Sequence, residues 1–236
     1  MKNLTVLGST GSIGLSTLDV VRRLGSQYKI YALAAGNNTG ELAQQILEFK
    51  PSVAVIATEE GRQSLAERLV TAGLPKSEWP ELLYGPEELV RIATAGEVDF
   101  LMSAIVGVAG LEATYAAVKR GIQVGLANKE VLVASGDLVM KAARTAGTEL
   151  LPVDSEHNGA HQCLRSGKRS EVTKLILTAS GGPFRNTPKS ELKNVTPSQA
   201  LKHPTWKMGQ RITIDSATMM NKGFEVIEAC WLFDLA

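Results

Sequence analysis

The sequence has few cysteines, few aromatic residues and no excess of charge of either sign. Only two cysteines, Cys163 and Cys230, occur in 236 residues, which excludes a disulfide framework and favours a reducing compartment; we predict both to be small packing residues. The 25 Lys and Arg residues nearly balance the 24 Asp and Glu residues, so the charge indicates neither nucleic acid nor a membrane surface as a partner. No apolar run approaches the roughly 20 residues of a membrane helix, and the N-terminal run is too short for a signal peptide. We therefore expect a cytoplasmic protein.

The first 150 residues alternate short apolar runs with amphipathic stretches, which is typical of an α/β fold. The apolar runs predict strands at residues 4–7, 31–35, 52–57, 81–84, 99–104, 123–126 and 149–153. The amphipathic stretches predict helices at residues 12–23, 40–49, 60–72, 111–119 and 132–146. Such strand–helix–strand units imply right-handed crossovers, and strands this apolar imply burial on both faces. We predict a Rossmann-like, mostly parallel sheet.

The character of the sequence changes near Pro152. A polar segment is followed by a predicted strand at residues 174–178, a loop rich in Gly, Pro, Ser and Thr up to residue 210, and a closing helix at about residues 217–233. That helix has apolar positions that we predict to pack in a core: Met219, Met220, Val226, Ile227, Trp231 and Leu232. We therefore divide the chain into a Rossmann-like domain at residues 1–150 and a second, α+β domain at residues 151–236.

A glycine-rich turn follows the first predicted strand and opens the first predicted helix. Its sequence, Gly8-Ser9-Thr10-Gly11-Ser12-Ile13-Gly14, permits a tight turn and a close approach of the backbone to a pyrophosphate at a helix N-terminus. The alternative is a glycine-rich turn without a ligand. The segment at residues 34–39, after the second strand, has no acid to repel a 2′-phosphate, which favours NADP over NAD, although it also lacks Arg and Lys.

Two acids follow the strand at residues 149–153. Asp154 and Glu156 are two residues apart, so in extended chain both carboxylates point to one side and can share a Mg²⁺ or Mn²⁺ ion. The alternative is that they begin a helix. His157 and His161 are spaced like zinc ligands on a helix, a weaker alternative without the Glu of a metalloprotease motif.

Further candidate residues lie toward the end of the chain. Asn221, Lys222 and Glu225 fall within one helical turn, where Glu225 could complete the metal site. Ser216, which we place near the start of the closing helix, could grip a phosphate together with Lys222. The loop at residues 178–184 has small hydroxyl side chains that could bind an anion, but it could equally be a loop without a ligand. The loop at residues 203–209 suits a lid that closes over substrate. Alternatively, Trp206 in this loop anchors the core.

Read in order, these segments resemble the 1-deoxy-D-xylulose 5-phosphate reductoisomerase family. The resemblance runs from residue 4 to the end of the chain. It is carried by the glycine turn and by Ala127-Asn128-Lys129-Glu130, Leu151-Pro152-Val153-Asp154-Ser155-Glu156-His157-Asn158, Ser180-Gly181-Gly182-Pro183-Phe184, His203-Pro204 and Asp215-Ser216-Ala217-Thr218-Met219-Met220-Asn221-Lys222-Gly223. It implies a reaction in which a carbon skeleton is rearranged and then reduced, giving 2-C-methyl-D-erythritol 4-phosphate for non-mevalonate isoprenoid biosynthesis. The second domain would be a catalytic domain of which this chain has only part.

The resemblance also implies roles for individual residues. A divalent ion, Mg²⁺ or Mn²⁺ with Co²⁺ as a further candidate, would be held by Asp154, Glu156 and Glu225, and Lys129, Glu156 and Glu225 would be catalytic. The phosphorylated sugar substrate would contact Lys129, Ser155, Glu156, Ser180, His203, Ser216, Asn221, Lys222 and Glu225. NADPH would contact Thr10, Gly11, Ser12, Ile13, Gly36, Asn37, Asn38, Asn128, Glu130 and Gly209. Members often carry a basic residue where this chain has Asn37, and a homodimer is expected for the full-length family member.

Two other functions are compatible with the glycine turn. One is a metal-independent NAD(P) dehydrogenase, for example one that acts on a semialdehyde. The other is a nucleotide-binding module or fragment with no chemistry of its own.

Overall fold

A computed structural model describes residues 1–206 and 209–235 of the chain. The chain divides into two compact units, Met1–Asp154 and Ser155–Ala236. Lys207 and Met208, which belong to the loop expected to act as a lid, lie outside the described residues. None of the helices in the described part of the chain combines the length and the apolarity that crossing a membrane requires.

The first unit is a seven-stranded parallel sheet with helical crossovers. Its strands are β1 (Lys2–Leu7), β2 (Tyr28–Ala34), β3 (Val53–Ile56), β4 (Glu81–Tyr84), β5 (Phe100–Ser103), β6 (Gln123–Leu126) and β7 (Leu150–Pro152). Its helices are α1 (Ser12–Leu24), α2 (Thr39–Phe49), α3 (Glu59–Thr71), α4 (Pro86–Ala93), α5 (Leu111–Lys119) and α6 (Glu130–Ala146). All six strand pairs are parallel, in the order β4-β3-β2-β1-β5-β6-β7. The predicted Rossmann-like sheet is confirmed.

Burial on both faces explains why the central strands could be recognised in the sequence. Val6 and Leu7 are neighbours on β1 and point to opposite faces of the sheet, yet both are fully buried. Leu33 on β2 and Leu101 on β5 are also inaccessible. Because helices cover the faces of a parallel sheet, its strands are apolar throughout instead of alternating with polar residues.

The strand order places a ligand-binding crevice beside β1. The chain moves outward from β1 to β4 on one side and from β5 to β7 on the other, so the order reverses between β1 and β5. In open α/β sheets, ligands bind outside the carboxyl ends of the strands at such a switch point. The loops that follow β1 and β5 border this point.

The second unit is helical in its described residues. It contains α7 (Ser155–Arg165), α8 (Pro197–Ala200), α9 (Gln210–Ala217) and α10 (Met220–Phe233), with short 3₁₀ turns at Arg169–Glu171 and Leu192–Asn194. Ala160 on α7 packs with Ala229 and Phe233 on α10 in a small core. The sequence suggested α7 only as an alternative to extended chain, and the helix reading is the correct one.

One predicted element of the second unit is wrong in this structure, and another begins later than predicted. Residues 174–178 alternate as a strand does, and Leu175 and Leu177 pack on the core, but no strand of the described residues pairs with them. The closing helix is present as α10, but it begins three residues later than predicted, because Met219 has a left-handed φ of 61° and separates α10 from α9. Ser216 therefore lies near the end of α9, away from the start of a closing helix.

The predicted packing of the last helix is also wrong. The buried side of α10 consists of Glu225, Glu228, Ala229 and Phe233. Five of the six apolar positions that we expected in the core are exposed: Met219, Met220, Val226, Ile227 and Trp231. The two cysteines, expected to be packing residues, are exposed as well.

Candidate nucleotide and metal sites

The glycine turn after β1 is held tightly against its neighbours. Gly8 has a φ of 85°, and a side chain there would place its Cβ 2.6 Å from the carbonyl oxygen of Ala104, in the loop after β5. The N–H groups of Gly8 and Ser9 both donate to the carbonyl oxygen of Ala34, each at 2.9 Å. A Cβ on Gly14 would overlap the backbone of Gly8 and Ser9. Glycine is thus required at residues 8 and 14 for the turn to form at all.

The same turn presents unused hydrogen-bonding groups. Gly11 is the N-cap of α1 and has no side chain to accept from the first N–H groups of the helix. The hydroxyl of Ser9 is buried and has no hydrogen-bond partner among the described residues. A helix N-terminus that lacks a capping side chain at a sheet switch point suits the phosphates of a nucleotide.

The loop after β2 is exposed and uncharged. Gly36, Asn37 and Asn38 are all exposed. The side-chain oxygen of Asn38 accepts from the N–H of Glu41 at 3.1 Å and so caps α2. The loop has no acid that would repel a 2′-phosphate.

The segment after β6 anchors the loop that follows β5. Asn128 is 3% exposed, and its amide nitrogen donates to the carbonyl oxygens of Ile105 and, at 2.7 Å, of Gly107. Its side-chain oxygen is buried and unpartnered within the described residues. Glu130 accepts from the N–H of Gly107 at 3.2 Å. Asn128 and Glu130 therefore shape one wall of the crevice at the switch point.

Lys129 and Asp154 form an ion pair at the same edge of the first unit. The Lys129 ammonium lies 3.0 Å from a carboxylate oxygen of Asp154, and the two side chains are 12% and 16% exposed. Parallel strands bring them together, because Lys129 follows β6 and Asp154 follows the adjacent β7. The pairing fixes the position of a cation at the carboxyl edge.

Two acids of the second unit meet around one ammonium group. Carboxylate oxygens of Glu156 on α7 and Glu225 on α10 lie within 4.8 Å of each other. The Lys222 ammonium contacts both carboxylates, at 3.1 Å from Glu156 and in close contact with Glu225. The amide of Asn221 donates to the other oxygen of Glu225 at 2.6 Å, and the hydroxyl of Ser155 donates to Glu156 at 2.6 Å. Five of the residues that the sequence placed at the metal and substrate thus converge within this unit: Ser155, Glu156, Asn221, Lys222 and Glu225.

Burial and the two neighbouring acids shift the pKa of Lys222 in opposite directions. Burial lowers the pKa of its ammonium group, but the hydrogen bonds and the charges of Glu225 and Glu156 outweigh burial and raise the pKa above the ordinary value. Glu225 is only 2% exposed, so its charge needs a cation beside it. The carboxylates of Glu156 and Glu225 are therefore stabilised by a positive charge between them.

A buried histidine, not a zinc ligand, ties α7 to α10. His157 is inaccessible, its Nε2 lies 2.8 Å from the carbonyl oxygen of Glu225, and its Nδ1 lies 3.2 Å from a carboxylate oxygen of Glu228. Among the described residues, the group of potential metal ligands contains no histidine, which argues against the zinc alternative of His157 with His161. Sequence reasoning missed Glu228, although a second acid three residues after Glu225 on the same helix face was the available signal.

The expected phosphate-binding residues are grouped by a loop that packs on α9. The N–H groups of Thr205 and Trp206 both donate to Nδ1 of His203, so Nε2 carries the proton and donates to the Ser180 hydroxyl oxygen at 3.0 Å. The N–H of Gly182 donates to the same oxygen at 3.2 Å, which leaves the Ser180 O–H free to donate to an anion.

The same loop comes close to Ser216. A Cβ on Gly182, whose φ is 68°, would lie 2.6 Å from the carbonyl oxygen of Ser216. Gly209 is exposed at the start of α9, and Trp206 is 64% exposed, so the reading of Trp206 as a core anchor is wrong.

Comparison with known proteins gives one consistent result. The family model for 1-deoxy-D-xylulose 5-phosphate reductoisomerase matches residues 4–136, and the model for the C-terminal domain of the same enzyme matches residues 150–233. The 1-deoxy-D-xylulose 5-phosphate reductoisomerase of Solibacter usitatus is 67% identical over all 236 residues, and that of Dechloromonas aromatica is 52% identical over 238 aligned residues, with 99% of this chain covered. The chain spans 59% of the length of each of these relatives.

Solved structures agree with the sequence comparison. The reductoisomerase of Zymomonas mobilis in complex with NADPH has a TM-score of 0.89 and 46% identity, covering all of this chain and 59% of that one. A DOX-P reductoisomerase in complex with NADPH, fosmidomycin and magnesium has a TM-score of 0.90 and 42% identity, with the same coverage. The chain described here belongs to the 1-deoxy-D-xylulose 5-phosphate reductoisomerase family.

Proposed function

We propose that the protein carrying this chain converts 1-deoxy-D-xylulose 5-phosphate to 2-C-methyl-D-erythritol 4-phosphate with NADPH and a divalent metal ion. The observation that carries the proposal is the convergence of Glu156, Glu225 and Lys222 within the second unit. A metal-independent dehydrogenase would have no use for two acids gathered around a cation.

The first unit fits a dinucleotide. The turn at Gly8 and Gly14 admits no side chains, the Ser9 hydroxyl and the Asn128 side-chain oxygen are buried without partners among the described residues, and α1 begins without a capping side chain. We assign the pyrophosphate to the start of α1, and the adenosine ribose to the loop at residues 36–38. NADPH bound there would supply the hydride.

The second unit fits a hard divalent cation. Carboxylate oxygens are the ligands that Mg²⁺ and Mn²⁺ prefer, and the nearly inaccessible Glu225 carboxylate is stabilised by positive charge. We propose Asp154, two residues before Glu156 in the chain, as the third ligand. The ion would supply Lewis-acid charge to the substrate oxygens while the carbon skeleton rearranges.

The phosphate of the substrate would bind at the loop that packs on α9. The His203 and Gly182 donors fix the Ser180 oxygen so that its own O–H points outward as a donor. Ser216, Asn221 and Lys222 are the further donors of our assignment. Anchoring the phosphate there orients the reacting end of the sugar and supplies remote binding energy.

Lys129 is the cation of the first unit that we assign to the reacting end of the substrate. Asp154 holds its ammonium at a fixed position, from which it can donate a hydrogen bond to a substrate hydroxyl or carbonyl oxygen. Glu156 is the acid that we assign to proton transfer in addition to its role at the metal. The chain's own residues therefore bind both ends of the sugar and hold the proton-transfer groups.

The test is NADPH oxidation in the whole protein with 1-deoxy-D-xylulose 5-phosphate, with Mn²⁺ and with EDTA. We expect turnover that requires both the sugar phosphate and the metal. Turnover that survives EDTA would favour the metal-independent dehydrogenase. NADPH binding without any consumption of the sugar would favour the inert nucleotide-binding module.

Two finer expectations stay predictions. The family resemblance predicts a homodimer for the whole protein, which sedimentation or scattering in solution would test. The composition, with two cysteines that form no framework, predicts a cytoplasmic location, which fractionation of cells would test.

A further inference from the structure

The loop that should bind the 2′-phosphate of NADPH has no positive charge of its own. Gly36, Asn37 and Asn38 form the exposed connection between β2 and α2. The 2′-phosphate distinguishes NADPH from NADH, and proteins usually recognise it with an Arg close to the end of the second strand. A cation for this purpose must therefore come from another element.

Arg68 on α3 brings a guanidinium group to the start of α2. Its Nε donates to the hydroxyl oxygen of Thr39 at 3.0 Å, and a Cβ on Gly40 would lie 3.5 Å from its Nη1. The same position on Gly40 lies 3.8 Å from the side-chain oxygen of Asn38. The guanidinium is therefore next to the loop although its residue is 30 positions away from Asn38 in the sequence.

The direction of α3 explains why Arg68 reaches this edge of the sheet. The helix begins after β3 at the carboxyl edge and runs back along the sheet. Side chains on a helix tilt toward its N-terminus, so the long Arg68 side chain returns toward the carboxyl edge. The hydroxyls of Thr39 and Ser64, which lie 3.3 Å apart, line its path.

Among the described residues, no acid neutralises the charge of Arg68. In the described parts of the chain, Arg68 has no carboxylate within ion-pair distance. Glu59 on the same helix is paired with Arg62 through two hydrogen bonds of 2.8 and 2.5 Å. Glu41 at the start of α2 accepts from Gln45 at 3.2 Å. With Nε bound to Thr39, the two Nη groups of Arg68 keep their donors for a ligand.

We propose that Arg68 recognises the 2′-phosphate of NADPH from α3 and so supplies the specificity for NADPH that the β2–α2 loop lacks. The inference rests on the proposed use of NADPH and names the residue that selects it. The planar guanidinium offers two parallel N–H donors to phosphate oxygens, and the Thr39 hydroxyl holds it in place.

The test is equilibrium binding of NADPH and NADH to the whole protein, measured by calorimetry or nucleotide fluorescence without sugar substrate or metal. We expect Arg68→Gln to weaken NADPH binding about tenfold or more and to leave NADH binding within about twofold. The fragment pair 2′,5′-ADP and 5′-ADP should show the same difference. The NADPH affinity of Arg68→Lys should lie between those of the wild type and Arg68→Gln. Lysine keeps the positive charge but lacks the two parallel N–H donors of the guanidinium group.

A matched control is Arg23→Gln, which removes one positive charge from the exposed end of α1, where Arg23 pairs with Asp19. It should change neither nucleotide affinity. Asn37→Lys added to Arg68→Gln should restore NADPH binding, because it puts a basic residue into the loop itself.

The outcomes separate this inference from the proposed function. A wild-type protein that binds neither nucleotide would contradict the proposed function. A wild-type protein that prefers NADPH, with Arg68→Gln either unchanged or weakened equally for both nucleotides, would overturn the role of Arg68 alone. A thermal unfolding curve like that of the wild type shows that each variant is folded.

Discussion

The two units of the chain differ in how their structure is stabilised. In Met1–Asp154, each strand pairs with neighbours that are parallel to it, and helices cover the sheet. In Ser155–Ala236, only a few apolar side chains pack together, and large apolar residues such as Ile176, Trp206 and Met220 are exposed. Buried polar contacts, above all those of His157 and Glu225, join α7 to α10. The first unit is thus stabilised by burial of apolar surface, and the second depends more on specific polar groups.

In the proposed enzyme, the nucleotide binds to the first unit, and the acids that we assign to the metal lie mainly in the second. Substitutions in the glycine turn should affect the nucleotide alone, and substitutions among the acids should affect the metal and substrate alone. The following variants test that separation, and all measurements use the whole protein.

Glu225→Gln should have the largest effect. It removes a charge from a side chain that is 2% exposed and leaves Lys222 with one acid, so Mn²⁺ affinity should fall about 100-fold or more and turnover about 1,000-fold. NADPH affinity should stay within twofold. Glu191→Gln, at an exposed position, is the control and should change nothing. Wild-type turnover in Glu225→Gln would remove this residue from the metal site.

Gly14→Ala should affect the first unit only. The new Cβ overlaps the backbone of Gly8 and Ser9, so the turn must open, and NADPH affinity should fall roughly 30-fold while Mn²⁺ affinity is kept. Gly159→Ala is a matched control, because a Cβ at this helical glycine meets no atom within 4 Å. NADPH binding by Gly14→Ala as tight as in the wild type would contradict the proposed nucleotide site.

Ser180→Ala should weaken the hold on the substrate phosphate. Loss of one hydrogen bond to a charged group should raise KM about tenfold with little change in kcat. Ser198→Ala removes an exposed hydroxyl that lies 3.0 Å from the Thr196 hydroxyl, and it serves as the control. An unchanged KM in Ser180→Ala would exclude the proposed phosphate role.

Lys222→Met should have a small effect on the metal, in the opposite direction from Glu225→Gln. The Lys222 ammonium is paired with the two carboxylates that would bind the ion and therefore competes with it. Removing this positive charge should raise Mn²⁺ affinity about threefold at neutral pH. Affinity for the phosphorylated substrate should fall at the same time. A loss of Mn²⁺ binding would show instead that Lys222 holds the acids in place for the ion.

The first unit could be predicted well because its signals are local. β4, β6 and α5 have the predicted bounds, and the other predicted strands and helices of this unit lie within three residues of theirs at either end. The exception, α4 (Pro86–Ala93), is short and was not recognised. Each strand is a short apolar run, and each helix has its own apolar face, so pairing partners need not be known.

The second unit was harder to predict because its structure depends on contacts distant in sequence. Nothing local shows that Met219 takes a left-handed conformation, and this residue moves Ser216 onto a separate helix. The apolar pattern of α10 suggested a buried face, whereas the buried side carries Glu225 and Glu228. Contacts such as that of His157 with Glu228 join residues 71 positions apart, and no spacing rule reveals them.

The site residues show the same contrast. Motif order was enough to name Glu156, Lys222 and Glu225, which the fold of the second unit brings together. Arg68 could not be named, because its position beside the β2–α2 loop follows from the packing of α3 against α2 and from no motif.

We proposed above that Asp154 completes the metal site of Glu156 and Glu225. Titration of Mn²⁺ into the wild type, Asp154→Asn and the exposed-residue control Asp137→Asn, followed by electron paramagnetic resonance of the free ion, tests it most directly. We expect one tightly bound Mn²⁺ per chain in the wild type and in Asp137→Asn, and none in Asp154→Asn. A Mn²⁺ bound equally tightly by Asp154→Asn would show that Asp154 is not a ligand.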